Sequence, residues 1–216
     1  MIDIIQGDAL ESLQDLPSES VSLVVTDPPY AALDEHRAIG TTTRLAGGWF
    51  PTMPVEGIVA VLRECARVLK KNSHMYVFAN SAAMWELKPA IEAATGLRFW
   101  KALVWDKECM GMGYHYRATY EVVLFFEKGK RKLNNLGVPD VLHHRRLRGK
   151  ALYPTTKPVG LFKTLITQSS DPGDLVLDPF CGSGSSGVAA MECHRSYLGV
   201  DIEVDAVTRA RDRITP

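Results

Sequence analysis

Short apolar runs rich in β-branched residues alternate along the chain with longer stretches of helical period, and no other feature constrains the fold as strongly. The alternation predicts an α/β protein, in which helices connect the strands of one mostly parallel sheet. Seven strands are predicted, at residues 2–6, 21–26, 74–79, 99–105, 121–127, 174–178 and 196–201. The predicted helices are residues 9–15, 55–71, 82–94, 158–169, 185–193 and 203–214.

The fourth and fifth predicted strands have no helix between them. We therefore expect them to pair as an antiparallel hairpin at one edge, which gives a seven-stranded sheet with one reversed strand. No repeat or linker divides the sequence, so residues 1–216 are expected to form a single domain. Residues 31–54 lack any period, and we expect them to form a mobile loop at the substrate site, since long loops are usually functional.

The composition places the chain among ordinary globular proteins, with 46% hydrophobic and 23% charged residues. No apolar run is long enough to cross a membrane, and the first residues do not resemble a secretory signal, so a cytoplasmic location is expected. The four cysteines have neither disulfide-framework nor zinc-ligand spacing. They are expected to be free thiols, and no metal site is predicted.

The net charge is zero, yet the charges are unevenly distributed. Residues 128–150 carry a single acid, Asp140, and the rest of the chain is therefore net acidic. We call residues 128–152 the basic segment. Its basic residues are Lys128, Lys130, Arg131, Lys132, Arg145, Arg146, Arg148 and Lys150.

The apolar strand at residues 21–26 runs directly into Asp27-Pro28-Pro29-Tyr30. Ligands of an open parallel sheet bind at the carboxyl ends of its strands, so this tetrapeptide is expected in a binding crevice. The Asp27 carboxylate accepts hydrogen bonds, and Tyr30 offers a flat ring for stacking. The prolines fix the backbone and remove N–H groups that would compete for its carbonyls. This combination suits a planar molecule that carries an amino group.

A second strand ends at Asp178 and turns through Gly182 and Gly184 into a helix, which lets a ligand approach the backbone near the helix N-terminus. The turn lacks the Lys-Ser/Thr of a phosphate loop and the usual dinucleotide fingerprint. Asp201 ends the next strand, where a carboxylate can hold a pair of ribose hydroxyls. These features predict a nucleoside-containing cofactor with few phosphates.

Together these motifs resemble those of the DNA methyltransferases that methylate exocyclic amines with S-adenosylmethionine. The resemblance is to the permuted group, the beta class, in which Asp-Pro-Pro-Tyr precedes the glycine motif. Residues 5–30 are similar to the family's opening and residues 153–201 to its cofactor half. The resemblance implies a circularly permuted, Rossmann-like methyltransferase fold, with S-adenosylmethionine as the cofactor and double-stranded DNA as the substrate.

The resemblance also implies a catalytic role for Asp27, Pro28, Pro29 and Tyr30. The target base would leave the duplex and stack on Tyr30, while its amine donates hydrogen bonds to Asp27 and to the Pro28 carbonyl. Close positioning and fixed acceptors would then favour direct methyl transfer, without a metal or a covalent enzyme intermediate.

The implied cofactor site draws on three parts of the chain. Its methionine end is assigned to Asp178, Phe180, Gly182 and Gly184, and its ribose to Asp201. Asp8 is further assigned to the adenine and Lys157 to the methionine carboxylate. Structural alternatives stay open for three of these residues, since Asp8 could be the N-cap of the first helix, Lys157 a solvated charge and Phe180 a core residue.

Two residues depart from the pattern of the family or invite another interpretation. Tyr153 stands where the family commonly has a histidine, which concerns the detail of the cofactor contacts. Cys181 lies inside the glycine turn, but the sequence has no Pro-Cys dipeptide of the kind found in carbon-5 cytosine methyltransferases. We therefore interpret Cys181 as a small packing residue.

The basic segment lies where this family carries its target-recognition region. It is short, so recognition could be shared with residues 31–54, with a second copy of the chain, or with a separate recognition or restriction subunit. The alternative is a solvated surface loop. The residues predicted to contact DNA are Lys130, Arg131, Lys132, Arg145, Arg146 and Arg148.

The resemblance favours methylation of adenine N6, because Asp27 occupies the first motif position. It also implies a restriction-modification or phage-like setting. Methylation of cytosine N4 is the nearest alternative. Methylation of a protein amide or of structured RNA is disfavoured, since those enzymes usually place the glycine motif first. A third class is a degenerate methyltransferase that only binds DNA or supports a partner.

Overall fold

One mixed sheet runs through the protein, with helices on both of its faces. The computed structural model describes residues 1–30, 52–111, 116–147 and 156–214. The strands are β1 (Ile2–Gln6), β2 (Val21–Thr26), β3 (Leu69–Ala79), β4 (Arg98–Asp106), β5 (Tyr120–Lys128), β6 (Val141–His143), β7 (Leu175–Asp178) and β8 (Ser196–Asp201). The helices are α1 (Ala9–Gln14), α2 (Val55–Val68), α3 (Met84–Thr95), α4 (Val159–Ser169), α5 (Ser185–Glu192) and α6 (Val204–Ile214).

The strand order is β1-β8-β7-β2-β3-β5-β4-β6. Among the strands of the described residues only β5 is reversed, since it pairs antiparallel with both β3 and β4. The predicted α/β class, the single reversed strand and the β4–β5 pairing are confirmed. The predicted strand number of seven is wrong, because a short eighth strand, β6, pairs parallel with β4 and occupies the edge expected for the hairpin.

The junction of α2 and β3 differs most from the predicted boundaries. The sequence predicts a helix that continues to residue 71, but Leu69 is already extended and pairs with Val21 of β2. The register then shifts before Leu23 pairs with His74, and Asn72 within this irregular stretch has a φ of 58°. The polar residues after Leu69 therefore belong to a bulged strand and not to a helix end.

The helices form two layers around the sheet. Helices α1, α2 and α3 contribute to one hydrophobic core, and α4, α5 and α6 contribute to the other. β2 is buried on both faces, because Val24 faces the first core while Leu23 and Val25 face the second. None of the helices in the described ranges is both long enough and apolar enough to span a membrane.

His74 is fully buried near the middle of β3. Its Nδ1 lies 2.7 Å from Ser169 Oγ, and its Nε2 lies 3.1 Å from the Arg131 carbonyl oxygen. Glu127 Oε1 is 3.8 Å from Nε2. Burial outweighs the charge of Glu127 and lowers the pKa of His74 from 6.5 to about 4. The imidazole is therefore neutral in the folded protein at neutral pH.

Acid should destabilise the protein through His74. Its pKa is lower in the folded than in the unfolded chain, so this stability is present above pH 6.5 and is lost as the pH falls towards 4. The difference between a pKa of 6.5 and one of about 4 corresponds to a loss of about 3 kcal/mol in the free energy of unfolding. We expect urea unfolding of His74→Gln to show a smaller loss of stability between these pH values than the wild type, whereas His143→Gln, at an exposed histidine, should leave the loss unchanged. Equal pH dependence in all three proteins would contradict this assignment.

Candidate active site

The carboxyl ends of β1, β2, β7 and β8 lie at one edge of the sheet and border a cleft of about 220 Å³. Most of the predicted catalytic and cofactor-binding residues line this cleft. They are Asp8, Asp27, Pro29, Lys157, Asp178, Phe180, Gly182 and Asp201. Pro28, Tyr30 and Gly184 lie close by without lining it. Met53 also lines the cleft, whereas residues 31–51 of the predicted substrate loop lie outside the described residues.

Asp178 connects both predicted motifs at the base of the cleft. Its Oδ1 accepts hydrogen bonds from Thr26 Oγ1 at 2.7 Å and from the Phe180 backbone N–H at 3.1 Å, and its Oδ2 accepts one from Ser186 Oγ at 2.6 Å. Burial raises its pKa to about 6, although these three hydrogen bonds oppose the shift. Asp178 thus joins the end of β2 to the end of β7 and to the start of α5.

Asp201 holds the glycine turn in place from the end of β8. Its Oδ2 accepts a hydrogen bond from the Gly182 N–H at 2.7 Å, and its Oδ1 accepts one from the Glu203 N–H at 2.9 Å. Gly182 has a φ of 50°, and a Cβ placed there would meet no atom within 4 Å. The backbone at Gly182 is therefore open to close approach by a ligand.

Gly184 has a structural role that differs from its predicted one. Its φ is 79°, and a Cβ there would lie 2.8 Å from Ala210 Cβ and 2.9 Å from Ala210 Cα. It precedes the first residue of α5 and allows that helix to pack closely against α6. Asp8 is the N-cap of α1, where its Oδ1 accepts a hydrogen bond from the Glu11 N–H at 3.0 Å, and it also lines the cleft.

All four cysteines are free thiols, and Cys181 is buried beneath the glycine turn. Its backbone N–H donates a hydrogen bond to the Val200 carbonyl at 2.9 Å. Burial, with the nearby charges of Asp178 and Asp201, raises the pKa of the thiol, so it stays protonated. These features agree with its interpretation as a packing residue.

The carbonyls of the Asp-Pro-Pro-Tyr motif are less free than the sequence suggested. The Pro28 oxygen accepts a hydrogen bond from the Tyr30 N–H at 2.9 Å, and the Pro29 oxygen accepts one from the Met53 N–H at 2.7 Å. The expectation that no neighbouring N–H competes for them is wrong. A carbonyl oxygen has two lone pairs, so Pro28 can still accept a second hydrogen bond.

Asp27 belongs to a cluster of four charged side chains. Lys157 Nζ forms an ion pair with Asp27 Oδ2 and lies 3.6 Å from Glu121 Oε2. Glu121 Oε1 in turn pairs with Lys107 Nζ at 2.8 Å. Lys157 is buried, with its Nζ 5.1 Å from the centre of the Phe78 ring. The resemblance assigned Lys157 to the methionine carboxylate of the cofactor and not to Asp27, and sequence reasoning missed Glu121 and Lys107.

The protonation of this cluster reflects a balance between burial and charge. Burial raises the pKa of Asp27, and Glu121 raises it further, against the opposing charge of Lys157. Burial alone would raise the pKa of Glu121 and lower that of Lys157. The opposite charges prevail, so the pKa of Glu121 is lowered and that of Lys157 is raised. Glu121 and Lys157 are therefore charged at neutral pH.

The two halves of the basic segment lie at opposite ends of the strands, one at the edge with the cleft and one at the edge opposite it. Because β5 is reversed, Lys130, Arg131 and Lys132 lie at the edge opposite the cleft, where Arg131 Nη2 pairs with Asp171 Oδ2 at 3.1 Å. Arg145 and Arg146 follow β6 at the same edge as the cleft, and both are exposed. Arg148 lies outside the described residues.

Hydrogen bonds to the end of β4 hold the second half of the basic segment beside the charged cluster. The Arg146 N–H donates a hydrogen bond to the Lys107 carbonyl at 3.0 Å, and Trp105 Nε1 donates one to the His144 carbonyl at 2.7 Å. Burial raises the pKa of Glu121, whereas the charges of Lys157, Lys107 and, to a smaller extent, Arg146 lower it. Arg146 is therefore close enough to the cleft for its charge to act on Glu121.

A family model for DNA methylases of the N6/N4 type matches residues 21–212, which include both motifs that border the cleft. The chain belongs to this DNA methylase family. Among the curated relatives of this methylase is the DNA adenine methyltransferase YhdJ of Escherichia coli, which is 29% identical over 98% of this chain and 82% of YhdJ. The type II methyltransferase M.HpaI of Haemophilus parainfluenzae is 26% identical over 98% of this chain and 73% of its own.

Solved structures agree with the fold of this DNA methylase. The M1.HpyAVI–SAM complex has a TM-score of 0.75 and 22% identity, with full coverage of both chains. The cytosine-N4-specific PvuII DNA methyltransferase has a TM-score of 0.77 and 19% identity, over 99% of this chain and 86% of its own. The predicted methyltransferase fold is thereby confirmed.

Proposed function

We propose that this protein transfers a methyl group from S-adenosylmethionine to the N6 amine of an adenine in DNA. One observation carries the proposal: Asp27 lies in the same cleft as the glycine turn held by Asp201. This arrangement brings a hydrogen-bond acceptor for an amine next to a backbone that a ligand can approach closely. The description of YhdJ as an adenine methyltransferase supports adenine as the base. We further infer that the chain has the permuted motif order and acts as a single catalytic domain.

The residues of the cleft fit S-adenosylmethionine. Gly182 leaves open space where a side chain would stand, Phe180 offers an apolar ring, and Asp201 offers carboxylate oxygens that accept from hydroxyls. Asp8 lies at the same cleft, beyond the end of β1. When bound, the cofactor supplies a methyl group activated by its sulfonium.

The chain's own contribution to the reaction centres on Asp27. As a carboxylate, it can accept a hydrogen bond from the target amine and stabilise the positive charge that develops on the nitrogen. Burial raises the pKa of Asp27 and so works against this ionised form, and the opposite charge of Lys157 counteracts part of that effect. The remaining lone pair of the Pro28 carbonyl offers a second acceptor, so both amine hydrogens can be bound.

Tyr30 contacts the rest of the protein through both its ring and its backbone. Its ring packs against the hydrophobic core, and its backbone forms a bridge with Met53. Burial raises the pKa of its phenol, so the ring stays neutral. We propose that one face of this ring stacks on the base once the base has left the duplex.

The function can be tested without knowledge of the target sequence. Purified protein, tritiated S-adenosylmethionine and unmethylated bacterial genomic DNA should give labelled DNA. Digestion to nucleosides should then yield labelled N6-methyldeoxyadenosine. Labelled N4-methyldeoxycytidine would overturn the choice of base, and unlabelled DNA would overturn the proposal. Sequencing with modification detection would report the recognised site in the same DNA.

We propose that double-stranded DNA lies over the cleft edge and contacts Arg145 and Arg146. Both are exposed, and β6 holds them at the edge where Asp27 lies. Lys130, Arg131 and Lys132 are left out of this contact because they lie at the opposite edge. A second copy or a separate recognition or restriction subunit stays a prediction from the short basic segment.

Replacing both Arg145 and Arg146 with alanine should weaken binding to every DNA sequence alike. The slope of log K against log salt should fall by about 0.9 for each phosphate that the protein no longer neutralises. The matched control is Lys130→Ala/Lys132→Ala, which removes the same charge from exposed positions at the other edge. Equal salt slopes for the two double variants would show that Arg145 and Arg146 do not contact the DNA.

A further inference from the structure

The charged cluster contains one acceptor oxygen that the proposed reaction does not use. Glu121 Oε1 is fixed by Lys107 Nζ at 2.8 Å. Its Oε2 is buried, lies 3.6 Å from Lys157 Nζ, and receives no hydrogen bond from the described residues. This second oxygen is therefore close to the lysine ammonium without being bonded to it.

Lys157 already occupies the acceptor that the target amine needs. Its ammonium is paired with Asp27 Oδ2, and its side chain is buried. An amine that binds Asp27 competes with this ammonium for the carboxylate, and the positive charge that develops on the amine nitrogen disfavours an ammonium at the same oxygen. A buried ammonium without an acceptor is strongly unfavourable, so displacement requires another acceptor within reach.

We propose that Glu121 receives the Lys157 ammonium when the target amine binds Asp27, and that Glu121 is thereby a positioning residue for methyl transfer. This inference rests on the proposed function of Asp27. Lys157 then alternates between two carboxylates, with Asp27 as its partner before the base enters and Glu121 as its partner afterwards. The exchange frees Asp27 without leaving a buried charge unpaired.

The surrounding structure suits a short movement of this kind. Glu121 lies in β5 opposite Trp105 of β4, so its backbone is held within the sheet. The ammonium has to move by less than 1 Å to shorten 3.6 Å to an ordinary hydrogen-bond distance. The Phe78 ring lies beside it at 5.1 Å and provides a favourable face for the cation.

The variant Glu121→Gln tests this role, because it keeps the shape of the side chain and removes its charge. We expect kcat for methylation of unmethylated genomic DNA to fall by at least about tenfold, with the dissociation constant of S-adenosylmethionine unchanged. The acid limb of the kcat profile should also move to lower pH, since the charge of Glu121 raises the pKa of Asp27. A role in folding alone would not move that limb.

Two further variants complete the comparison. Glu121→Asp keeps the charge and should recover part of the lost kcat. Glu92→Gln removes a carboxylate that pairs with Lys88 at 2.7 Å on the surface of α3, and it should behave like the wild type. Wild-type kcat in Glu121→Gln, or a lower kcat with an unmoved acid limb, would overturn the inference while the proposed function stands. Wild-type protein that methylates no DNA would overturn both.

A measurement on the wild-type protein covers the case in which Glu121→Gln does not fold. In protein labelled with ¹⁵N-lysine, the Lys157 ammonium signal can be identified from its absence in Lys157→Arg. We expect this signal to shift when DNA is added to protein that is already saturated with the non-reactive product S-adenosylhomocysteine. A signal that DNA does not move would overturn the exchange of partners.

Discussion

Asp27→Ala is expected to reduce methyl transfer by about 100- to 1,000-fold, the range seen when one preorganised group that stabilises charge is removed from an active site. The loss should appear in kcat, because the carboxylate acts on the positive charge that develops during transfer. Binding of S-adenosylmethionine should stay nearly unchanged, since Asp27 faces the target amine. Isothermal titration calorimetry and single-turnover transfer of the tritiated methyl group measure the two quantities separately.

Two controls separate this effect from general damage. Asp140→Ala removes an exposed carboxylate that pairs with Lys101 at 2.8 Å, and it should leave transfer intact. Asp27→Asn preserves size but presents an amide, and it should be nearly as inactive as Asp27→Ala. If cofactor affinity falls as much as activity does, Asp27 belongs to the cofactor site and its assignment to the target amine is wrong.

Gly184→Ala is expected to destabilise the protein severely, although it adds only one methyl group. The new alanine would have to adopt a φ of 79°. Its Cβ would lie 2.9 Å from the Cα of Ala210, a backbone atom that cannot rotate away. Left-handed backbone strain and the forced separation of α5 from α6 should together cost about 3 kcal/mol. Urea unfolding of the variant and the wild type measures this difference.

Gly182→Ala provides a matched comparison two residues away. Gly182 also has a positive φ, 50°, but a Cβ there has open space around it. This variant should lose only about 1 kcal/mol from backbone strain, while its affinity for S-adenosylmethionine falls because the methyl group occupies space beside the ligand. Equal losses of stability in the two variants would show that packing against Ala210 contributes nothing.

The regular elements could be predicted from the sequence because their patterns are local. The bounds of β1, β2 and β8 match the predicted ones, since each is a short apolar run that ends in polar residues. β6 was not predicted, because it has only three residues and forms a strand through its pairing with β4. Propensity carries little information in so short a segment.

The site was predicted where motifs are contiguous and missed where they are not. Asp27 and the glycine turn each lie in a run of distinctive residues, whereas Glu121 is only the polar start of an apolar strand. Its importance arises from a position beside Lys157, which the sequence alone does not reveal. The basic segment shows the same limit, because a charge run does not reveal that reversed β5 and parallel β6 place its two ends at opposite edges.

The central position of β2 has a consequence for how the protein is made. β2 lies between β3 and β7, and its Thr26 bonds to Asp178, 152 residues further along the chain. A ribosome therefore releases the strand that leads to Asp27 long before it releases the strand that completes its pairing. Until then one edge of this apolar strand stays unpaired and prone to wrong association. Assembly of the cleft is therefore a late event in synthesis, and a nascent chain that ends before β7 should have no activity on DNA.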